Sequence, residues 1–248
     1  VFKSMHQSMH DATSMQARSK RIVCLEGLIG AGKTTVFNRL KEEYRGNPRV
    51  AFVEEPVELW DRHGMLRDMY SNELNAGMFQ AMALMTRVHP IMAALHSDAT
   101  LIITERSPWT DYFVFARTNL TRAELQAYCL IFSRVQSWLA RDFALDVRFL
   151  YLRVSVATAM QRIARRARAS ETPFVSTAYL DQLHAAHESF VSLANLDGVG
   201  LDLNLDATAQ MRGTPRMATM CHFLDCDAAG SCAVADQVLC YIDGLGAA

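Results

Sequence analysis

Residues 22–40 read IVCLEGLIGAGKTTVFNRL, and this stretch decides the fold of the chain. It contains residues 27–34, GLIGAGKT, which match the phosphate-binding pattern G-x-x-x-x-G-K-[ST]. The glycines let backbone N–H groups turn toward phosphate oxygens, the lysine adds a positive charge, and the threonine hydroxyl can ligate Mg²⁺. An apolar run precedes the loop and a helical pattern follows it, as the motif requires. The stretch therefore predicts a strand, loop and helix that bind a nucleoside triphosphate.

Length and composition limit the class of protein. The chain has 248 residues, of which 50% are hydrophobic and 21% charged, with a formal net charge of −1. This is long enough for one large α/β domain, and the charge argues against a nucleic-acid-coating role. No apolar run approaches the length of a membrane span. The six cysteines are widely spread, which favours free thiols in a reducing compartment over a disulfide framework.

Residues 1–20 differ from the rest of the chain because they are polar and lack an apolar signal core. We expect them to form a disordered arm on a cytoplasmic protein. A mitochondrial presequence is the alternative, because the segment carries several basic residues and Asp11 is its only acidic residue.

Acidic residues follow two predicted strands. Residues 50–53 (VAFV) lead into Glu54 and Glu55, and residues 101–104 (LIIT) lead into Glu105. The carboxyl end of a strand in an open α/β sheet faces the ligand crevice, although solvated strand-end charges are the simpler alternative. Downstream of a phosphate loop, the position of Glu105 is typical of the acid that organises Mg²⁺.

The second half of the chain continues the alternation of strands and helices. A capping box at residues 121–124 opens an amphipathic helix, residues 147–152 form a strand, and residues 199–205 are predicted as the last strand. The alternation predicts one parallel sheet with helices on both faces. We therefore divide the chain into an arm (1–20), a nucleotide-binding domain (21–206) and a tail (207–248) that packs on the same domain through residues 234–242.

Arginines cluster after the strand at residues 147–152, and they include Arg162, Arg166 and Arg168. A solvated basic face is one interpretation. With a phosphate loop present, the cluster instead indicates a lid over the triphosphate, because the arginine fork matches phosphate oxygens.

Six motifs, taken in order, resemble the deoxynucleoside kinases of the deoxycytidine/deoxyguanosine kinase type. They span residues 20–194 and read GLIGAGKTT, EEPVELW, MFQ, ERSPWTD, YLRVSVATAMQRIARRARASE and YLDQLHAAHESF. The resemblance implies a five-stranded parallel sheet flanked by helices, a helical lid and a homodimer. It also implies transfer of the γ-phosphoryl group of ATP, or of another nucleoside triphosphate, to the 5′-hydroxyl of a deoxynucleoside with Mg²⁺.

The resemblance also implies the catalytic and donor-binding residues. Glu55 corresponds to the general base, and Arg106 to the residue that touches the 5′-oxygen and the transferred phosphoryl group. Lys33 and Arg162 complete the catalytic set, and Thr34 and Glu105 would hold the metal ion. The phosphates of the donor would be bound by Gly27, Gly30, Ala31, Gly32, Lys33, Thr34, Thr35, Arg162, Arg166 and Arg168.

On the nucleoside side, the resemblance implies contacts to the base, to the sugar and to the reacting hydroxyl. Gln80 matches the glutamine that pairs with the base edge, and Tyr70 and Glu171 match the pair that holds the 3′-hydroxyl. The remaining implied contacts are Trp60, Phe79 and Phe115 around the base, Arg87 and Asp111 at its edge, and Glu55 and Arg106 at the 5′-hydroxyl.

Arg87 and Asp111 carry the prediction of specificity. Members that accept cytidine or purines have an Arg–Asp pair at these positions, which favours deoxycytidine or deoxypurines over thymidine. Residues 111–113 (DYF) and 108–109 (PW) differ from the family pattern, which suits a divergent viral member. A thymidine kinase of broad specificity and a non-catalytic assembly subunit with the same fold are the alternatives. The second requires loss of site residues, yet Lys33 and Glu55 are both present.

Overall fold

A computed structural model of the chain describes residues 18–141, 143–171, 173–194, 218–227 and 231–246. Within these ranges, five parallel strands form one sheet in the order β2-β3-β1-β4-β5. The strands are β1 (Arg18–Glu26), β2 (Val50–Val53), β3 (Leu101–Glu105), β4 (Phe143–Arg153) and β5 (Ala218–Asp225). The predicted α/β fold, a five-stranded parallel sheet flanked by helices, is confirmed.

Helices connect the strands. They are α1 (Lys33–Glu43), α2 (Val57–Arg62), α3 (Met65–Tyr70), α4 (Ala76–His96), α5 (Pro108–Thr110), a π-helix (Asp111–Ala116), α6 (Arg117–Asn119), α7 (Arg122–Arg141), α8 (Val156–Arg166), α9 (Thr177–Ala194) and α10 (Ser231–Gly244). The predicted capping box opens α7, where the Thr121 N–H donates to Glu124 Oε2 over 2.9 Å. Among the residues described, no helix is both long enough and apolar enough to span a membrane.

The core lies on both faces of the central strands. Val23, Cys24 and Leu25 of β1 and Leu101, Ile102 and Ile103 of β3 are fully buried. Strands covered on both faces read as continuous apolar runs, so the sequence predicted β1 to β4 from such runs. Their carboxyl ends therefore meet at one edge of the sheet, where the candidate site lies.

The sheet extends beyond the predicted boundaries at its start. β1 begins at Arg18, so the last three residues of the predicted arm belong to the strand. The backbone of β1 pairs with β4 from Arg18↔Phe143 onward. Lys20 is buried, and its Nζ donates to the carbonyl oxygen of Ser97 over 2.8 Å. Polar composition alone predicts an arm here, but the backbone pairing and this hydrogen bond place residues 18–20 in the sheet.

The far edge of the sheet comes from the predicted tail. Residues 199–205, predicted as the last strand, lie outside the described residues. β5, with the sequence ATMCHFLD, pairs with β4 from Asp146↔Ala218 to Arg153↔Asp225. Helix α10 then packs against α1 and buries Val234, Val238 and Ile242. Residues 218–227 and 231–246 are therefore part of the same folded body.

A continuous helical segment follows β3 and includes the π-helix, which carries Asp111 and Phe115. It is preceded by Arg106, whose φ of 66° is a left-handed conformation that is rare for a residue other than glycine. π-Helical turns and strained backbone both concentrate at functional sites. This segment lies directly beside the phosphate loop, because the Arg106 N–H donates to the Leu25 carbonyl over 3.0 Å.

Candidate active site

The phosphate loop is packed tightly against the sheet and α8. Gly27 and Gly30 have φ of 144° and 81°, and a Cβ atom on either would meet a backbone oxygen. The added atom would lie 2.6 Å from Leu152 O at Gly27 and 2.7 Å from Ala159 O at Gly30. Both positions therefore require glycine for its conformation and for its lack of a side chain.

Lys33 lies at the start of α1 and folds back over the loop. Its Nζ donates to the carbonyl oxygens of Gly27 (3.2 Å) and Leu28 (2.8 Å). Burial and the nearby Arg106 lower the pKa of Lys33 to about 7, although Glu55 and other carboxylates oppose the shift. The ammonium group is thus held where an added anion would stabilise its charged form.

Thr34 and Glu105 meet across the gap between the loop and β3. The Thr34 hydroxyl donates to Glu105 Oε1 over 2.6 Å. Burial and the neighbouring Glu55 raise the pKa of Glu105, against the opposing effect of Lys33 and Thr34. A hydroxyl and a carboxylate oxygen are ligands that Mg²⁺ accepts, so this predicted pair fits a magnesium ion beside the loop.

Glu55 follows β2 and lies between two arginines. Its Oε1 accepts from Arg87 over 3.1 Å, and its Oε2 accepts from Arg106 Nε over 3.2 Å. Burial alone would raise the pKa of Glu55, but Arg106, Arg87 and Lys33 outweigh it and lower the pKa to about 2. Arg106 also donates to Gly27 O over 2.9 Å, so one side chain joins Glu55 to the phosphate loop.

Arg87 and Asp111 form the ion pair that the sequence predicted. Arg87 Nε donates to Asp111 Oδ2 over 2.8 Å, and the two side chains are only 3% and 2% exposed. Burial would lower the pKa of Arg87, yet Asp111 and Glu55 raise it, so the guanidinium stays charged. A further bond from Arg87 to Glu105 O, 3.4 Å long, anchors the pair to the end of β3.

Aromatic side chains surround this charged centre. Trp60 and Phe79 pack edge to face with ring centroids 5.7 Å apart, and Arg87 lies 5.5 Å from the Trp60 centroid. On the other side, the Arg106 guanidinium lies 4.8 Å from the centroid of Phe115. Such contacts fix the planes of both guanidinium groups.

One cavity joins these groups. It has a volume of about 1060 Å³, and every predicted site residue except Gly27 lines it. Gly27 lies beneath the cavity, where its carbonyl oxygen accepts hydrogen bonds from Lys33 and Arg106. This volume is slightly above the usual range for small-molecule sites, and the cavity extends from the phosphate loop past Glu55 to the aromatic side chains.

The lid arginines reach the cavity with different partners. Arg162 donates to Ala31 O over 3.0 Å and to Cys226 O over 2.9 Å, which braces the loop against the segment after β5. Arg168 donates to Glu171 Oε1 over 2.6 Å, and Arg166 donates to Glu171 Oε2. Arg166 and Arg168, which were predicted to bind phosphate, are therefore paired with Glu171, which was predicted to bind the sugar.

Some residues that the sequence did not single out make polar contacts at the cavity or beneath it. Asn119 and Tyr179 line the cavity and are hydrogen-bonded to each other, a tertiary contact that no local pattern indicates. Glu26 is fully buried and accepts from the Thr110 hydroxyl over 3.1 Å. Burial raises the pKa of Glu26 to about 7, with Arg106 opposing. Glu55 and Glu105 were predicted because each lies at the carboxyl end of an apolar strand. Glu26 ends β1 in the same way, so the same argument would have identified it.

Comparisons with known proteins agree with this arrangement. A family model described as deoxynucleoside kinase matches residues 23–211. The chain is 30% identical over 177 residues to a probable deoxycytidine kinase of fowlpox virus, covering 70% of this chain and 72% of that protein. It is 31% identical over 179 residues to a thymidine kinase of Ictalurid herpesvirus 1 (70% and 75% covered). It is 27% identical over 212 residues to human deoxycytidine kinase (73% and 78% covered).

Proposed function

The chain belongs to the deoxynucleoside kinase family, and from this premise we propose that it transfers the γ-phosphoryl group of ATP to the 5′-hydroxyl of a deoxynucleoside. One observation carries the proposal: Arg106 links the buried carboxylate of Glu55 to the loop that holds Lys33, within a single cavity. A group that can accept a proton thus lies beside a group that can bind the transferred phosphate.

Glu55 is proposed as the general base. Because its pKa is about 2, the carboxylate is ionised at neutral pH and can accept a hydrogen bond from a hydroxyl group. Its two arginine partners fix the direction of that bond. Arg106 donates hydrogen bonds both to Glu55 and to the phosphate loop. It can therefore stabilise charge that develops between the sugar oxygen and the phosphate.

The donor side consists of the loop, Lys33 and the arginines of α8. Thr34 and Glu105 fit Mg²⁺ because their oxygens meet 2.6 Å apart beside the loop. When bound, the ion would offset part of the negative charge of the triphosphate. Arg162 would keep the loop in place, since it bonds to the carbonyl of Ala31.

Deoxycytidine or a deoxypurine is the proposed acceptor. The buried Arg87–Asp111 pair offers both a donor and an acceptor to an amino or oxo edge, and it would leave a thymine methyl group against charged atoms. A thymidine-preferring enzyme is the second candidate, because one relative with 31% identity is a thymidine kinase.

Phosphate transfer from ATP and Mg²⁺ to each of the four natural deoxynucleosides tests the proposal. We expect turnover with at least one of them, and the best kcat/KM with deoxycytidine or a deoxypurine. No transfer to any nucleoside would leave a nucleotide-binding protein and refute the catalytic assignment. A clear thymidine preference would refute only the argument from Arg87 and Asp111.

A homodimer is proposed through the face formed by α4 and α7, which pack against each other. Exposed apolar side chains lie on both helices: Met78, Met85, Leu130, Ile131 and Trp138. Exposed apolar side chains on two packed helices favour a protein partner, and a second copy is the partner that the family implies. Sedimentation of the parent chain and of Leu130→Glu tests this: the dimer should be present in the first and lost in the second.

A further inference from the structure

Glu26, the residue that ends β1, lies between two residues that anchor Arg106. The Arg106 N–H donates to the carbonyl oxygen of Leu25 over 3.0 Å, and its guanidinium donates to that of Gly27 over 2.9 Å. The side chain of Glu26 is fully buried. A carboxyl group that no step of the proposed reaction uses therefore lies between the two anchors of a residue that the reaction needs.

Thr110 connects Glu26 to the turn that follows Arg106. Its hydroxyl group lies 3.1 Å from Glu26 Oε1 and 3.0 Å from the carbonyl oxygen of Ser107, so two acceptors share its proton. The Thr110 N–H donates to Ser107 Oγ over 3.3 Å, as in the capping box that opens α5. Residues 107–110 thus form a closed turn, and the Thr110 hydroxyl ties this turn to the end of β1.

The turn holds Arg106 in an unfavourable backbone conformation. The φ of Arg106 is 66°, in the left-handed region that a residue with a Cβ atom adopts only where its surroundings enforce it. The bond to Leu25 fixes the N–H of this residue, and the bond between Thr110 and Glu26 fixes the turn after it. Loss of the second bond would let the backbone relax and would turn the guanidinium away from Glu55, to which it now donates over 3.2 Å.

The other oxygen of Glu26 argues against a role in packing alone. Glu26 Oε2 is buried and has no hydrogen-bond partner within the described residues. Burying such an oxygen destabilises a fold, so packing alone would favour an apolar side chain at this position. Burial raises the pKa of Glu26 to about 7, and the charge of Arg106 is the largest opposing effect. The cost of burial indicates a function for Oε1, which accepts the Thr110 bond.

We propose that Glu26 and Thr110 are positioning residues, whose hydrogen bond holds the turn at Arg106 so that its guanidinium faces Glu55. The effect on catalysis rests on the proposed function, because it acts through the residue that would contact the transferred phosphoryl group. Glu26 and Thr110 lie beneath the cavity rather than on its wall, so they act without touching a substrate.

Kinetics of Thr110→Val test the effect on catalysis. The change removes the hydroxyl group but keeps the shape of the side chain. We expect kcat to fall about ten- to hundredfold, because a small displacement of a catalytic group has an effect of this size. The KM values for ATP and for the best deoxynucleoside should change less than about threefold, since ground-state binding is not altered. Thr110→Ser keeps the donor and Glu26→Gln keeps an acceptor, so both should retain most of the activity.

Nuclear magnetic resonance of the arginine side chains tests the position of Arg106 directly. Arg106 Nε donates to Glu55, so its N–H resonance, identified by its absence from Arg106→Lys, reports on that bond. The resonance should shift in Thr110→Val and return to the parent position in Thr110→Ser. Thr118→Val is the matched control, because the Thr118 hydroxyl donates to the Val114 carbonyl over 2.6 Å in the same helical segment, outside the cavity. It should change neither the resonance nor kcat.

An unchanged Arg106 resonance in folded Thr110→Val would overturn the proposal, as would a fall in kcat that Thr110→Ser does not share but that leaves the resonance in place. Thr110→Ala removes the same hydroxyl without a buried methyl group, and it replaces Thr110→Val if circular dichroism shows that variant to be unfolded. If the parent phosphorylates no nucleoside but its Arg106 resonance shifts in Thr110→Val, the proposed function fails and the positioning role stands. The two failures are therefore distinguishable.

Discussion

The charged groups of the cavity fall into two regions that are built differently. In the catalytic centre, Glu55, Arg87, Arg106 and Asp111 have side chains that are at most 13% exposed. In the lid, Arg166 and Arg168 are 37% and 27% exposed, and both pair with Glu171. Buried ion pairs depend strongly on each partner, whereas exposed pairs contribute little.

The anchoring of the arginines differs in the same way. Arg106 is bonded to Gly27 O, and Arg87 is bonded to Glu105 O, so each is fixed to the backbone at the carboxyl edge of the sheet. Arg166 and Arg168 extend from the end of α8 to a carboxylate. We propose that the centre around Glu55 is preorganised before substrates bind, and that the arginines of the proposed lid exchange Glu171 for phosphate when the donor binds.

The largest expected effect comes from the centre. Glu55→Gln should lower kcat by about 10²–10⁴-fold, because the amide keeps the shape but cannot accept the proton. The nucleoside Kd should change little. Stopped-flow or steady-state phosphate transfer, with binding measured separately by calorimetry, gives both values.

Glu54→Gln is the matched control for that variant. Glu54 is the adjacent residue, 61% exposed and paired with Lys41, and its loss should leave kcat near that of the parent. Unchanged turnover in Glu55→Gln would contradict the assignment of Glu55 as the general base. It would also contradict the view that activity depends more on the buried centre than on the lid.

The second prediction compares one carboxylate from each region. Asp111→Ala should lower the free energy of unfolding by about 3 kcal/mol, because it leaves the buried Arg87 with Glu55 as its remaining carboxylate partner. Glu171→Ala should lower it less, by about 1 kcal/mol, because Glu171 is 7% exposed but Arg166 and Arg168 are 37% and 27% exposed and can turn to solvent once the carboxylate is removed. Urea unfolding of the two variants measures both free energies. Equal losses of stability would show that the ion pairs of the centre and of the lid do not differ in strength.

Much of this comparison could be predicted from the sequence. The strands β1 to β4 are apolar runs because both faces of the sheet are covered, and Glu55 and Glu105 follow two of these runs directly. The phosphate loop fixes which edge of the sheet binds ligand. The sequence alone therefore predicts those site residues that follow a strand directly or belong to a local motif.

The remainder depends on contacts that no local pattern encodes. β5 reads ATMCHFLD, in which threonine and histidine interrupt the apolar run, and the sequence predicted the last strand at residues 199–205 instead. The π-helix covers six residues, too few for its periodicity to be distinguished from that of an α-helix. The pairing of Arg166 with Glu171 and of Asn119 with Tyr179 joins residues through tertiary packing or a turn, where charge patterns do not identify the partner.

The third prediction concerns the buried carboxyl group of Glu26, and how its ionisation changes the free energy of unfolding with pH. The pKa of Glu26 is about 7 in the folded state, above its ordinary value of 4.5, so the folded state binds more protons than the unfolded state between these two pH values. Stability should therefore decrease as pH rises from about 4.5 to 7, by roughly 1–3 kcal/mol. In Glu26→Gln this contribution to the decrease should be absent.

Urea unfolding at pH 5, 6, 7 and 8 measures the difference between parent and Glu26→Gln at each pH. That difference should move in favour of the variant as pH rises and then level off above pH 7. A constant difference would mean that Glu26 does not titrate in this range. Glu188→Gln is a suitable control, since Glu188 is 32% exposed and pairs with Arg153 outside the cavity.

The smallest expected effect tests the lid directly. Arg166→Gln should tighten nucleoside binding about two- to fivefold in the absence of ATP, because Glu171 loses a competing partner and is freer to accept the sugar hydroxyl. The same variant should weaken ATP binding, since a phosphate ligand is lost. Arg165→Gln removes an equal charge from the adjacent, exposed position and should leave nucleoside binding unchanged. Weaker nucleoside binding in Arg166→Gln would mean that the arginines orient Glu171 for the sugar rather than compete for it, and the lid would then be as preorganised as the centre.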